Sequence, residues 1–141
     1  MPGRSRQLSD RDFQQLANFR YALRRFLEFS ENAAAAEGLT AQQHQALLAI
    51  RAYQPEPATV GWLASRLRIR HNTAVELAQR LEAAGLITRE PSPEDRRAVQ
   101  LLPTADGLAR LEKLTQAHRA ELRQLSPEIL QALQGLEAEE G

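Results

Sequence analysis

The sequence predicts a mainly α-helical fold with one small β-hairpin, and three observations predict it. Apolar residues recur at three- and four-residue steps through most of the chain, which is the helical period. That period lapses between Gly85 and Thr104, where two short runs of β-type residues flank a Pro-rich polar segment. Aromatic residues make up only 5% of the chain, so the core rests on Leu, Ala, Ile and Val, a mix better suited to helices than to sheets.

The length, 141 residues, fits a single domain that buries a core without disulfides or a structural metal. There is no Cys, which excludes a disulfide framework, a thiol nucleophile and Cys-ligated zinc, and accords with a reducing cytoplasm as the expected location. No stretch approaches the ~20 consecutive apolar residues of a membrane span. Arg4 and Arg6 are followed by no apolar run of the signal-peptide kind. The formal net charge is zero, but it averages unlike regions. The tail Glu137-Ala138-Glu139-Glu140 is acidic, whereas the middle carries Arg66, Arg68, Arg70, Arg80, Arg89, Arg96 and Arg97. Of the 18 basic residues only Lys113 is Lys. Arg offers a planar fork for phosphates and base edges, although genome composition explains the bias equally well.

Taken in order, the first helix starts after Ser9. Phe13, Leu16, Phe19, Leu23, Phe26 and Leu27 make its apolar stripe, and Gly38 ends it. Thr40 and Gln43 read as a capping box for a second helix through Leu47, Leu48 and Ile50. Gln54-Pro55-Glu56-Pro57 breaks the chain. Two short helices follow. Thr59 caps the first, with Val60, Leu63, Ala64 and Leu67 inward; the second runs from His71 to Ala84, with Ala74, Leu77, Ala78 and Leu81 inward and Gly85 as its stop. Leu86-Ile87-Thr88-Arg89 and Ala98-Val99-Gln100-Leu101-Leu102 read as two strands, with Pro91-Ser92-Pro93-Glu94-Asp95 as loop between them. Thr104 caps a long helix through Leu108, Leu111, Leu114, His118, Leu122 and Leu125. Ser126-Pro127-Glu128 reads as the start of a separate last helix.

Helix, tight turn, helix and hairpin, in that order, form a winged helix-turn-helix. Such a unit lays its second helix in the DNA major groove. The outward face of that helix offers His71, Asn72, Thr73, Glu76, Gln79 and Arg80. Asn and Gln pair with adenine, Arg with guanine, and Thr touches a thymine methyl. Ser65, Arg66, Arg68, Arg70 and Arg89 are candidate phosphate contacts, which fix register rather than sequence.

These residues resemble the MarR family of bacterial regulators. The resemblance is carried by Thr59-Val60-Gly61-Trp62-Leu63-Ala64-Ser65-Arg66-Leu67, by Asn72-Thr73-Ala74-Val75, and by Arg80-Leu81-Glu82-Ala83-Ala84-Gly85-Leu86-Ile87. It is sharpest in Asp95-Arg96-Arg97 followed by Leu101-Leu102-Pro103-Thr104-Ala105-Asp106-Gly107, an Asp-x-Arg wing, a strand and a Thr-x-x-Gly helix start. It implies a single domain over 1–141, with dimerisation helices at 9–37 and 104–139 and a DNA-binding lobe at 40–103. It implies that Arg97 enters the minor groove, with Arg96 beside it on the wing and Asp95 bracing it; a narrow minor groove attracts Arg. It implies a homodimer on double-stranded DNA, a repressor's role, and release by a small aromatic or phenolic effector. Phe19, Leu23, Phe26, His44, Leu48 and Leu111 are candidate lining for that effector and are equally well explained as core. Two residues depart from the pattern. Arg68 stands in the turn where many relatives have Gly, which argues against a positive-φ turn here. Arg70 stands at the N-cap of the second helix in place of Ser or Asp, so that Asn72 is an alternative cap that would start the helix later.

Other readings are blander. Trp62, His44 and His118 read as packing residues; His118 and Glu121 are one turn apart, but two groups do not complete a zinc site. No metal and no cofactor is expected. The sequence has no Gly-rich phosphate loop, no His-Glu-x-x-His and no Gly-x-Ser-x-Gly elbow, so no enzyme is expected. The alternative to DNA readout is a winged helix that binds only protein, since fold does not fix function.

Overall fold

The computed structural model describes residues 7–137. Arg4, Arg6 and tail residues 138–140 lie outside them. The elements are α1 (Asp10–Ala36), α2 (Ala41–Ala52), β1 (Ala58–Thr59), α3 (Val60–Leu67), α4 (His71–Ala83), β2 (Ile87–Pro91), β3 (Val99–Pro103) and α5 (Ala105–Glu137). The fold is mainly α with a small β-wing. The chain divides into two compact units, residues 31–116 and the pairing of 7–30 with 117–137, with α1 and α5 contributing to both.

Capping residues set where the helices of the 31–116 unit begin. Thr40 accepts from the Gln43 N–H at 3.1 Å while the Gln43 side chain accepts from the Thr40 N–H at 3.0 Å, the expected box. Thr59 accepts from the Trp62 N–H at 3.1 Å. α4 begins at His71 with Arg70 as its N-cap and no side-chain capping bond. Asn72 therefore lies inside the first turn and does not move the start, contrary to the alternative raised above. The backbone of Arg70 is already extended, and its carbonyl accepts from Ala74 at 3.0 Å.

Three helices end in one and the same turn. After α1, Gly38 donates to Ala35 and Leu39 to Ala34; after α3, Arg68 donates to Ser65 and Ile69 to Ala64; after α4, Gly85 donates to Glu82 and Leu86 to Leu81. Each is a Schellman end, with a left-handed residue followed by an apolar one that packs inward. Arg68 thus has φ 58° and ψ 45°. The expectation that this turn avoids positive φ is overturned: the two backbone bonds, with Ile69 packed on the core, impose the conformation on a residue that carries a Cβ.

The sheet has three strands in the order β1-β3-β2, one more than expected. β1 is too short to show a period, and pairs Ala58 with Leu101 and Thr59 with Gln100. Pro91, expected in the loop, ends β2 opposite Val99. β2 is an edge strand, where a missing N–H is tolerated. Leu86, expected as the first strand residue, instead closes the turn after α4.

The Thr-x-x-Gly pattern has a packing cause. Thr104 donates its hydroxyl to the Gly85 carbonyl at 2.6 Å and its N–H to the Leu86 carbonyl at 3.0 Å, and accepts from the Gly107 N–H at 3.0 Å. A Cβ on Gly107 would stand 2.2 Å from the Leu86 carbonyl oxygen, so only Gly lets the first turn of α5 sit there. The core beneath includes Leu47, Leu63, Leu77, Leu81, Ile87, Leu101, Leu111 and Leu114. Burying each such side chain stabilises by about 1.5–3 kcal/mol.

In the other unit, α5 runs unbroken through Ser126-Pro127, so the expected separate last helix is the continuation of α5. Pro127 cannot donate to the Arg123 carbonyl; the Ser126 hydroxyl bonds that carbonyl instead, at 3.4 Å, and the exposed proline is tolerated. Ala22, Leu125 and Ala132 are buried, and Gly135 meets the Gln15 side chain so closely that a Cβ would stand 2.5 Å from it. His118 lies 2.8 Å from the Ser30 hydroxyl and edge-on to Phe26 and Phe29, a packing residue as expected. Most of the predicted stripe is nevertheless open: Phe13, Leu16, Leu23, Leu27, Leu122, Leu130, Leu133 and Leu136 are all exposed.

Candidate nucleic-acid interface

The residues expected to read and hold DNA all fall in the 31–116 unit, on α3, the turn, α4 and the hairpin. α4 divides cleanly. Ala74, Leu77, Ala78 and Leu81 are buried, whereas His71, Asn72, Glu76, Gln79 and Arg80 are exposed and Thr73 is half-buried. Asn72, Glu76 and Gln79 fall on one face by the helical period, with Arg80 at its flank.

The β2–β3 hairpin is tied at its tip by short-range bonds. Ser92 donates to the Ala98 carbonyl at 2.9 Å, and Ala98 donates to the Asp95 carbonyl at 2.9 Å. The Asp95 carboxylate accepts from the Arg97 main-chain N–H at 3.0 Å. Asp95 therefore fixes the backbone of Arg97 and leaves its guanidinium unengaged. Arg96 and Arg97 are exposed, and neither makes an ion pair among the described residues.

Two clefts bring these groups together. One, of about 280 Å³, is lined by Thr59, His71, Val75, Arg89, Asp95 and Arg97 among others, so the wing and the first turn of α4 share a wall. The other, of about 640 Å³, is lined by Gly61, Ala64, Ser65, Arg68, Ile69 and His71. It joins two of the candidate phosphate contacts to the start of α4. Arg66 and Arg70 are exposed nearby in sequence.

Arg89 differs from the other arginines. Its guanidinium bonds the Glu82 carboxylate at 2.9 and 3.1 Å, and its main-chain N–H bonds the same carboxylate at 3.2 Å. The Arg89 side-chain bond holds the Glu82 carboxyl below its ordinary value; desolvation pushes the other way, and the main-chain bond and the charge of Arg89 add to the lowering. The pair ties the last turn of α4 to β2. Sequence reasoning passed over Glu82, whose only signal is an acid seven residues before an Arg across a Gly turn.

The candidate effector residues are split between the units. Phe19, Leu23 and Phe26 belong to the 7–30/117–137 unit, and His44, Leu48 and Leu111 to the other. His44 and Leu111 are buried and Leu48 is exposed. Trp62 packs against Tyr53 with ring centroids 4.4 Å apart and planes tilted by 48°, and lies against the core. No helix among the described residues is long and apolar enough to cross a membrane.

α3, a left-handed turn, a two-faced α4 and a basic hairpin define a winged helix-turn-helix. Residues 37–98 match the model of the MarR family, a segment that spans α2 to the tip of the β2–β3 hairpin. Solved structures agree. AbsC, a MarR family transcriptional regulator from Streptomyces coelicolor, aligns with TM-score 0.74 at 23% identity, covering 92% of this chain and 91% of that one. A cysteine-to-serine mutant of MarR from E. coli aligns with TM-score 0.69 at 22% identity, covering 87% and 86%. A mutant of S. aureus MepR bound to an oligodeoxyribonucleotide aligns with TM-score 0.67 at 22% identity, covering 77% and 79%. At such identities the likeness is one of fold. Among curated proteins none matches the sequence.

Proposed function

We propose that this protein is a sequence-specific transcriptional repressor that binds a near-palindromic operator as a homodimer. The observation that carries the reading is the polar, exposed face of α4 beside a wing whose Arg96 and Arg97 guanidinium groups make no hydrogen bond or ion pair among the described residues. In this reading α4 enters the major groove, with Asn72, Glu76, Gln79 and Arg80 at base edges and His71 and Thr73 at the groove rim. Arg97 probes the adjacent minor groove from a backbone fixed by Asp95. Ser65, Arg66, Arg68 and Arg70 hold phosphates, and Arg89 reaches one only by sharing its guanidinium with Glu82.

The exposed apolar side chains of the 7–30/117–137 unit are the dimer surface. Two copies of α4 then stand about one DNA turn apart, ~34–36 Å. A small aromatic effector that favours a different spacing of the two copies would shift the population away from the DNA-competent state.

The test is a footprint on the DNA flanking the protein's own gene, followed by titration at several salt concentrations. A protected near-palindrome is expected, with affinity falling steeply as salt rises. Arg97→Ala should weaken binding to all sequences, and Arg80→Ala should relax preference at particular bases by about 1–3 kcal/mol. A winged helix that binds only protein would leave no footprint and show no such salt dependence.

A further inference from the structure

The three Schellman turns differ in one respect. Those after α1 and α4 place Gly38 and Gly85 at the left-handed position, both at φ +77°, whereas the turn after α3 places Arg68 there at φ 58°. Among the described residues Arg68 alone carries a Cβ at positive φ. The left-handed region crowds a Cβ against the following carbonyl and favours Gly. All three turns make the same two backbone bonds and are followed by an inward apolar residue. The backbone therefore requires nothing of Arg68 that Gly would not supply with less strain.

Nor does the fold gain from the side chain. Arg68 is exposed, and its guanidinium makes no hydrogen bond or ion pair among the described residues. It lines the cleft that Ser65 and His71 also line, between α3 and the first turn of α4, with Arg66 and Arg70 to either side in sequence. A strained residue that offers the fold nothing marks a place where something outside the fold is served.

We propose that Arg68 is a DNA-phosphate contact held at a cost to folding stability, its left-handed backbone fixing where the side chain leaves the turn. This rests on the DNA-binding reading above and deepens it. Arg68 sets affinity and salt dependence without setting sequence preference.

Arg68→Gly and Arg68→Lys separate the two roles. Melting temperature is read for each, and binding is titrated from low to high salt on a mixed-sequence duplex of about three helical turns. Arg68→Gly should melt higher by about 3–6 °C, because the strain is gone. It should bind at least about tenfold more weakly at low salt. Its log–log salt slope should be shallower by about two for a dimer, one contact per copy. Arg68→Lys keeps both strain and charge, and should melt and titrate close to the parent protein. A stabilised Arg68→Gly protein with unchanged salt slope overturns the proposal, and so does one that melts no higher. If the parent protein binds no duplex at any salt, the DNA-binding reading itself falls and the proposal falls with it. That last result is distinct from the other two because the parent protein is measured alongside.

Discussion

The two units of the chain bury their apolar residues to very different degrees. In residues 31–116 the inward leucines of α2, α3 and α4 are closed in, with Leu47, Leu63 and Leu81 all at 0% exposure, while Leu48 on the outer side of α2 is exposed. In the 7–30/117–137 unit Phe13 is 63% exposed, Leu16 50% and Leu130 54%, although they recur at the same helical period. The first unit satisfies its hydrophobic pattern internally. The second carries a helical pattern that the described residues leave uncovered, the surface that the proposed dimer would close. A periodic stripe therefore predicts that burial will occur, but not whether the chain itself supplies the cover.

The largest expected effect lies in the closed unit. Leu81→Ala removes a fully buried side chain from the inner face of α4 and should destabilise the protein by about 2–5 kcal/mol, read by thermal or denaturant unfolding. The loss should be the same at every protein concentration. A loss well below 1 kcal/mol would mean that this core is looser than the burial implies, and the contrast between the units would break.

Next in size is Leu130→Asp in the open unit. Leu130 is more than half exposed within the chain, so a monomer should lose little by the change. A dimer built on this face should dissociate at least about tenfold more readily, equivalent to about 1.4 kcal/mol. Sedimentation over a range of concentrations reads it. Melting should become concentration-dependent in the parent protein and much less so in the variant. If neither protein shows any association, the open stripe is covered by something other than a second copy.

Much of this was legible in the sequence because local chemistry decides it. Thr40 with Gln43, Thr59 and Thr104 marked helix starts that their side-chain bonds enforce, and the inner faces of α3 and α4 were written in their period. The errors share a cause, namely that a distant or subtle partner overrode the local signal. Ser126-Pro127-Glu128 has the chemistry of a helix start, yet the Ser126 hydroxyl serves the Arg123 carbonyl and α5 continues. β1 is two residues long and exists only through its pairing with β3. Arg68 adopts a Gly-like conformation because the Schellman bonds dictate it. In the candidate interface the outward residues of α4 and the wing were readable from period and motif. The engagement of Arg89 was not, since it depends on β2 returning past the end of α4.

That engagement sharpens a contrast inside the 31–116 unit, and it carries the smallest effect. The Arg68 guanidinium makes no hydrogen bond or ion pair among the described residues, whereas Arg89 is held by Glu82 through side chain and main chain. The Glu82 carboxyl is lowered from 4.5 chiefly by the Arg89 side-chain bond. A carboxyl that is more acidic folded than unfolded adds stability above its unfolded value, and that stability is lost as pH falls through the folded value. Glu82→Gln should therefore melt slightly below the parent protein at pH 7, and the gap should close as pH drops below about 4.5. Direct titration of the Glu82 carboxyl by NMR, with Arg89→Ala returning it toward its ordinary value, assigns the cause. On DNA, Arg89→Ala should change the salt slope far less than Arg68→Gly does, because its charge is already answered within the protein. Equal changes in slope for the two would mean that the Glu82 bond opens on DNA and that both arginines reach phosphates.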